Sequence, residues 1–231
     1  MVRTAELPEV IYLHGLGSSP ESVKARLVSS WCREFGLSLT TPRLSLPSFE
    51  RLSVDAVVSH VVGLVERVPS DRFVVLVGSS FGGFSAVHTF DRLSAVDRAR
   101  VRGLMLMAPV FYPWHHTRGL LTPEIERVWQ AQGFFPLTES ASGREVPVHY
   151  RFIEELRRYS SDTVSLSVPT LIVHGTQDQT VSHEQSVEFS TKQGYSRLVL
   201  LEDDHQLVAH PERLRGLFEE FVSRAGYVRA I

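Results

Sequence analysis

The chain has 231 residues, 43% of them hydrophobic and 22% charged, a length that suits one large α/β domain or two small ones and is ample for a substantial core. With 24 basic and 26 acidic side chains the net charge is −2, so no basic field points to nucleic acid or to an anionic membrane. Cys32 is the only cysteine, which excludes an intramolecular disulfide and a cysteine-based zinc cage.

In chain order, Val10-Ile11-Tyr12-Leu13 reads as a buried strand that turns at His14-Gly15. Glu21 to Phe35 is expected to be a helix whose apolar face carries Val23, Leu27, Trp31 and Phe35. A weaker strand, Leu37 to Thr41, stops at Pro42. A helical pattern then runs from Phe49 to Val68. Phe73 to Val77 is a continuous apolar strand, followed at once by Gly78-Ser79-Ser80-Phe81-Gly82-Gly83 and a helix to about Leu93. Gly103 to Met107 and Val168 to Val173 are further strands. A helix starts near His183, Leu198 to Leu201 forms the last strand, and Pro211 to Arg224 the last helix.

This alternation, with strands apolar on both faces, predicts an α/β fold: a three-layer α/β/α sandwich around a mainly parallel sheet of about six strands. One stretch breaks the rhythm, at about residues 113–167, where a long insertion separates two core strands. Thr122-Pro123 starts a helix bearing Ile125, Val128 and Trp129 on one face. A hairpin around Ser140-Ala141-Ser142-Gly143 and a second helix near His149 to Tyr159 follow. We read the insertion as a small cap over the carboxyl edge of the sheet, within one domain spanning 1–231. The segment Met1 to Glu9 has no signal-peptide core, and no apolar run approaches about 18 residues, so a cytoplasmic protein without stable membrane association is expected.

Gly78-x-Ser80-x-Gly82 sits between an apolar strand and a helix, the setting of a nucleophile elbow. A serine on so sharp a turn adopts a strained backbone, and side chains at the flanking positions would clash. The register selects Ser80 over Ser79, and the amide of Phe81 points where an oxyanion would form. The bland alternative is a glycine-rich turn that packs a helix on the sheet or cradles phosphate. No Gly-x-x-x-x-Gly-Lys or Gly-x-Gly-x-x-Gly spacing supports phosphate here.

A serine hydroxyl needs a histidine base, itself oriented by a carboxylate. Asp178 follows the Val168 strand in His174-Gly175-Thr176-Gln177-Asp178, and His205 follows the final strand in Glu202-Asp203-Asp204-His205. Ser80, Asp178 and His205 thus occur in the order this fold requires. Asp203 and Asp204 receive no catalytic role. His210, beside Pro211, is a rival base better read as a cap or surface residue. His14-Gly15-Leu16-Gly17 follows the first strand, so the Leu16 amide is the second oxyanion donor and His14 shapes the loop. Phe111, Trp114 and His115 are candidate substrate-binding residues. Each could equally belong to the cap's core or surface, and so could Tyr112, His116, Phe134 and Phe135. His183-Glu184 lacks the second histidine a zincin helix needs, and no metal or cofactor is called for.

Together these residues resemble the α/β-hydrolase superfamily. Tyr12-Leu13-His14-Gly15-Leu16-Gly17-Ser18-Ser19-Pro20 and Val77-Gly78-Ser79-Ser80-Phe81-Gly82-Gly83 are similar to small bacterial YqiA-type serine esterases. The resemblance implies a minimal form of that fold, without the initial antiparallel strands of larger relatives. It implies a serine hydrolase acting on carboxylic esters or thioesters of small acyl substrates, with no cofactor. Thioesterase or deacylase, amidase and C–C hydrolase chemistry on the same residues remain alternatives. So does a non-catalytic binding protein of the same fold.

Overall fold

The computed structural model describes residues 8–113, 122–140 and 142–224. Six strands form one parallel sheet: β1 (Glu9–Leu13), β2 (Ser38–Thr40), β3 (Val74–Ser79), β4 (Val101–Met107), β7 (Thr170–Gly175) and β8 (Ser196–Leu201). Their order across the sheet is β2-β1-β3-β4-β7-β8, with every neighbouring pair parallel. The expected strands are present, several starting a few residues earlier or later than their apolar runs suggest.

Alternate residues of each strand feed two cores. On one face Val10, Tyr12, Val75, Val77, Met105 and Met107 pack with helices α1 (Val23–Phe35) and α8 (Pro211–Arg224), whose Trp31 and Phe218 rings lie 5.5 Å apart. On the other, Ile11, Leu13, Leu76 and Leu104 pack with α2 (Val54–Arg67), α3 (Phe81–Arg92) and Phe189 of α7 (Glu184–Thr191). A short helix, α4 (Ala95–Arg98), absent from the sequence reading, links α3 to β4. Burial of both sheet faces accounts for strands without polar alternation.

Two helices differ from their sequence patterns. In α1 the buried positions are Lys24, Ala25, Val28, Trp31 and Cys32, while Val23 is 50% exposed. A strict i+4 series drifts around the helix by about 40° at each step, so Val23 and Phe35 end about 120° apart and the series does not mark one face, whereas i, i+4, i+7 does. The α2 helix begins only at Val54, because the Ser53 side chain accepts from the Ala56 amide (3.1 Å) and caps it. Such a cap is worth about 1 kcal/mol.

The segment between β4 and β7 contains α5 (Pro123–Gln132), capped by Thr122, then strands β5 (Phe134–Glu139) and β6 (Arg144–His149) and helix α6 (Arg151–Leu156). β5 and β6 form an antiparallel hairpin in register from Phe134↔His149 to Glu139↔Arg144. Trp129 is fully buried and donates from Nε1 to the Val148 carbonyl (2.8 Å), while Val128 on the same helix is 40% exposed. Several hydrogen bonds fasten this segment to the elements around the main sheet, among them the His149 amide donating to Glu50 O (2.9 Å). The Ser140 amide donates to Gly17 O (2.7 Å), and the buried Glu155 carboxylate accepts from Ser53 Oγ (2.6 Å).

Candidate active site

Ser80 stands between β3 and α3 with φ 54° and ψ −118°, a conformation rare for a residue with a side chain. The strain is held by close packing. A Cβ on Gly78 would lie 2.4 Å from Gly82 O, and one on Gly82 would lie 2.0 Å from Leu13 O. Those contacts explain both glycines of the motif. The Ser80 amide donates to Met107 O (3.0 Å), and its carbonyl accepts from the Gly83 and Phe84 amides (2.9 and 3.2 Å). Ala108 after β4 (φ 44°) and Leu207 after β8 (φ 54°) also have positive φ. All three strained residues follow the carboxyl ends of core strands, the place where such folds gather functional groups.

Asp178 is buried and its carboxylate is fully bonded. Oδ1 accepts from the amides of Thr180 and Val181, each at 2.8 Å. Oδ2 accepts from His205 Nδ1 (2.7 Å) and His174 Nε2 (3.2 Å). Burial alone would raise its pKa, but the hydrogen bonds from His174, His205 and the Val181 amide hold it well below the ordinary carboxylate range. The β7 and β8 loops that carry Asp178 and His205 are tied together by Gln177 N–H donating to Asp203 O (3.0 Å). Asp203 shapes the second loop, accepting from the amides of Asp204 (2.8 Å) and Ala209 (3.0 Å). His210 is exposed at the start of α8, where its carbonyl accepts from Arg213 and Leu214.

Ser80 and His205 line one cavity of about 690 Å³, together with Gly15, Leu16 and Thr180. Among the described residues neither the Leu16 nor the Phe81 amide donates a hydrogen bond, and Phe81 is the first residue of α3. His14 holds the Leu16 loop from below: Nδ1–H donates to Gly15 O (2.8 Å), and Nε2 accepts from the Leu44 amide (3.1 Å). Burial lowers the pKa of His14, in keeping with a neutral ring.

Phe111 is placed in the core, not at this cavity. It is 1% exposed and stacks face to face on Phe189, with centroids 3.8 Å apart. Gln185 Oε1 fixes it there by accepting from the Phe111 and Tyr112 amides (2.9 and 2.8 Å). Its neighbours Val110 and Pro113 line a smaller apolar cavity beside Ser80 instead. Trp114 and His115 lie outside the described residues.

Two residues of the site carried no sequence expectation. His174 supplies the second histidine bond to Asp178; its only sequence signal is a polar residue at the end of an apolar strand, four before the carboxylate. Lys24 is 8% exposed and donates from Nζ to His205 O (2.9 Å). Burial pushes its pKa down to about 8, against the opposing charges of Asp178, Asp204 and Asp203. A lysine in an amphipathic helix ordinarily faces water, so nothing local marks it.

The model of Uncharacterised protein family (UPF0227) matches residues 9–219. The chain belongs to this family. The match continues well past the N-terminal motifs that carry the YqiA-type resemblance. Comparison with curated protein sequences found no match. Among solved structures, this UPF0227 chain is similar to Est1E from Butyrivibrio proteoclasticus with bound ferulic acid, at TM-score 0.78 and 22% identity over 96% of this chain and 91% of that one. It is also similar to mouse alpha/beta hydrolase domain-containing protein 10, at TM-score 0.73 and 19% identity over 95% and 91% of the two chains. The monoacylglycerol lipase of Paleococcus ferrophilus gives 0.69 and 12%, covering 96% of each chain. At these identities the likeness establishes the α/β-hydrolase fold of the UPF0227 chain.

Proposed function

We propose that the protein is a serine hydrolase of carboxylic esters or thioesters, with Ser80 as nucleophile, His205 as general base and Asp178 as its orienting carboxylate. The observation that carries this reading is the 2.7 Å bond from His205 Nδ1 to Asp178 Oδ2, made by a histidine that lines the same cavity as Ser80. With Nδ1–H committed to the carboxylate, the imidazole keeps Nε2 as its free base.

In the first half-reaction Ser80 Oγ attacks the acyl carbon and His205 takes the hydroxyl proton. The tetrahedral oxyanion accepts from the Leu16 and Phe81 amides, each such donor worth about 3–4 kcal/mol. Collapse breaks the bond to the leaving group, which departs with the proton from His205, and the acyl group stays on Ser80. Water then attacks the acyl-enzyme with His205 again as base, releasing the acid and restoring the serine.

A fluorophosphonate probe and p-nitrophenyl esters test this. Wild-type protein is expected to be labelled at Ser80 and to hydrolyse the esters. Ser80→Ala should lose labelling and at least several orders of magnitude in kcat. A Ser80→Ala protein with full esterase activity would sink the assignment.

A further inference from the structure

The loop that carries the Leu16 amide is a tight turn pressed against the nucleophile. Gly15 O accepts from the Ser18 amide (3.1 Å), and Gly17, at the third position, has φ 67°, which makes the turn type II. A Cβ on Gly15 would lie 3.4 Å from Ser80 Cβ and 3.9 Å from Ser80 Oγ. His14 Nδ1 donates to the same Gly15 oxygen (2.8 Å), so two donors hold that carbonyl. In a planar trans peptide the N–H points opposite to the C=O, so fixing Gly15 O also fixes the direction of the Leu16 N–H.

A distant part of the chain closes over this turn. At the tip of the β5–β6 hairpin the Ser140 amide donates to Gly17 O (2.7 Å). A Cβ on Gly17 would lie 2.7 Å from Thr138 O, 3.3 Å from Phe49 Cζ and 3.7 Å from Glu139 Cα, so the hairpin backbone rests directly on the turn. The hairpin's other end is held by the His149 amide, which donates to Glu50 O (2.9 Å). Between these two ends Phe135, Pro136, Leu137 and Thr138 line the cavity that Ser80 and His205 share.

Given the serine-hydrolase reading, on which this rests, we propose that the β5–β6 hairpin braces the oxyanion hole. Its backbone, docked on Gly17, holds the positive φ that closes the turn. The closed turn keeps Gly15 O on its two donors, and the Leu16 N–H thereby faces the oxyanion formed on the acyl carbon. Gly17 and Ser140 are positioning residues, acting through Leu16. The inserted segment thus walls the cavity and also sets the geometry of a donor on β1's loop. Such a donor stabilises the transition state only where it is fixed in advance, and a misplacement of about 1 Å can cost about a hundredfold in rate.

The test compares Ser140→Pro, which deletes the amide donor, with Ser140→Ala, which keeps it. Relative to Ser140→Ala, the proline variant should lower kcat on p-nitrophenyl esters by about ten- to a hundredfold, with KM within about twofold. Affinity for a trifluoromethyl ketone should fall by a similar factor. Ser80 Oγ adds to its carbonyl carbon while His205 takes the hydroxyl proton, leaving an oxyanion in the hole. Gly17→Ala, which drives the hairpin backbone off the turn, should give the same pattern, and urea unfolding checks that each variant folds. Hydrogen exchange in the wild-type protein needs no substitution: the ketone should slow exchange in the Gly15–Ser18 turn and in the hairpin tip together. Protection of the turn alone overturns the brace. So does a Ser140→Pro protein that matches Ser140→Ala in kcat and ketone affinity, or one that raises KM at unchanged kcat. If fluorophosphonate still labels wild-type Ser80 in those cases, the serine-hydrolase reading stands alone. Without labelling or ester turnover by the wild type, both fall.

Discussion

His174 Nε2 lies 3.2 Å from Asp178 Oδ2, the same oxygen that His205 Nδ1 reaches at 2.7 Å. The second nitrogen of His174 meets Ser186 Oγ at 2.6 Å, and its Nε2 also faces Val181 O at 3.1 Å. Two acceptors around Nε2 place the proton there, so Nδ1 accepts from the serine hydroxyl. His174 therefore braces the carboxylate from beneath while His205 uses it from the cavity side. His174→Ala should cost about 2–3 kcal/mol, the loss of a buried hydrogen bond to a charged group. Because His174 touches no substrate, kcat should fall while KM changes little. Urea unfolding and steady-state kinetics check both, and a changed KM at unchanged kcat would count against this bracing role.

Asp178→Asn keeps the shape of the loop but offers His205 the wrong partner. The reaction proposed above then predicts a drop of about ten-thousandfold in kcat, by analogy with amide replacement in other serine triads. The same substitution has a pH signature. In the fold the Asp178 pKa is depressed below the ordinary 3.8, so its ionised form stabilises the native state above that value. That contribution is lost as pH falls from about 4 through the depressed value. Acid unfolding curves should show wild type losing stability more steeply than Asp178→Asn over that range.

Gly82→Ala tests the packing that strains Ser80. The new Cβ would sit 2.0 Å from the Leu13 carbonyl, and no flexible side chain is available there to yield. The variant should lose several kcal/mol of stability. Any folded fraction should have α3 displaced and fluorophosphonate labelling slowed. Normal stability and labelling would show that the close approach of α3 to β1 does not hold the turn.

The strands were legible because burial on both sheet faces leaves continuous apolar runs, such as Val74 to Val77, that few other structures produce. Ser80, Asp178 and His205 could be named because each follows one of those runs, and strand ends are where a parallel sheet gathers its loops. Helix faces were harder. In α1 a pattern of large apolar residues pointed to Val23, while the fold buries Lys24 and Ala25, one and two positions on. Phe111 could be read from sequence as pocket wall or as core, because its depth is set by Gln185 and Phe189, more than 70 residues downstream. Contacts over such separations leave no local trace, and the same holds for Lys24 and His205, 181 positions apart.

Lys24 gives the fold an alkaline signature. Its pKa is lowered from 10.5 to about 8, so between those values the unfolded chain carries a proton that the native chain has shed. Stability must then rise with pH across that window, by at most about 1.4 kcal/mol per pH unit from this one group. Below about pH 8 both states are protonated, and the cost of burying the charge is present in full. Lys24→Met fills similar volume without the charge. Its stability should therefore lack the component of the slope that lies between pH 8 and 10.5, when urea midpoints are compared with wild type across that range. At neutral pH two effects oppose each other: relief of the buried charge, and loss of the 2.9 Å bond to His205 O. Activity separates them, because only the second touches the loop of the base. A few-fold fall in kcat at neutral pH, with stability held or raised, is the expected pair of results. Parallel slopes for the two proteins would mean that Lys24 keeps its ordinary pKa in the fold.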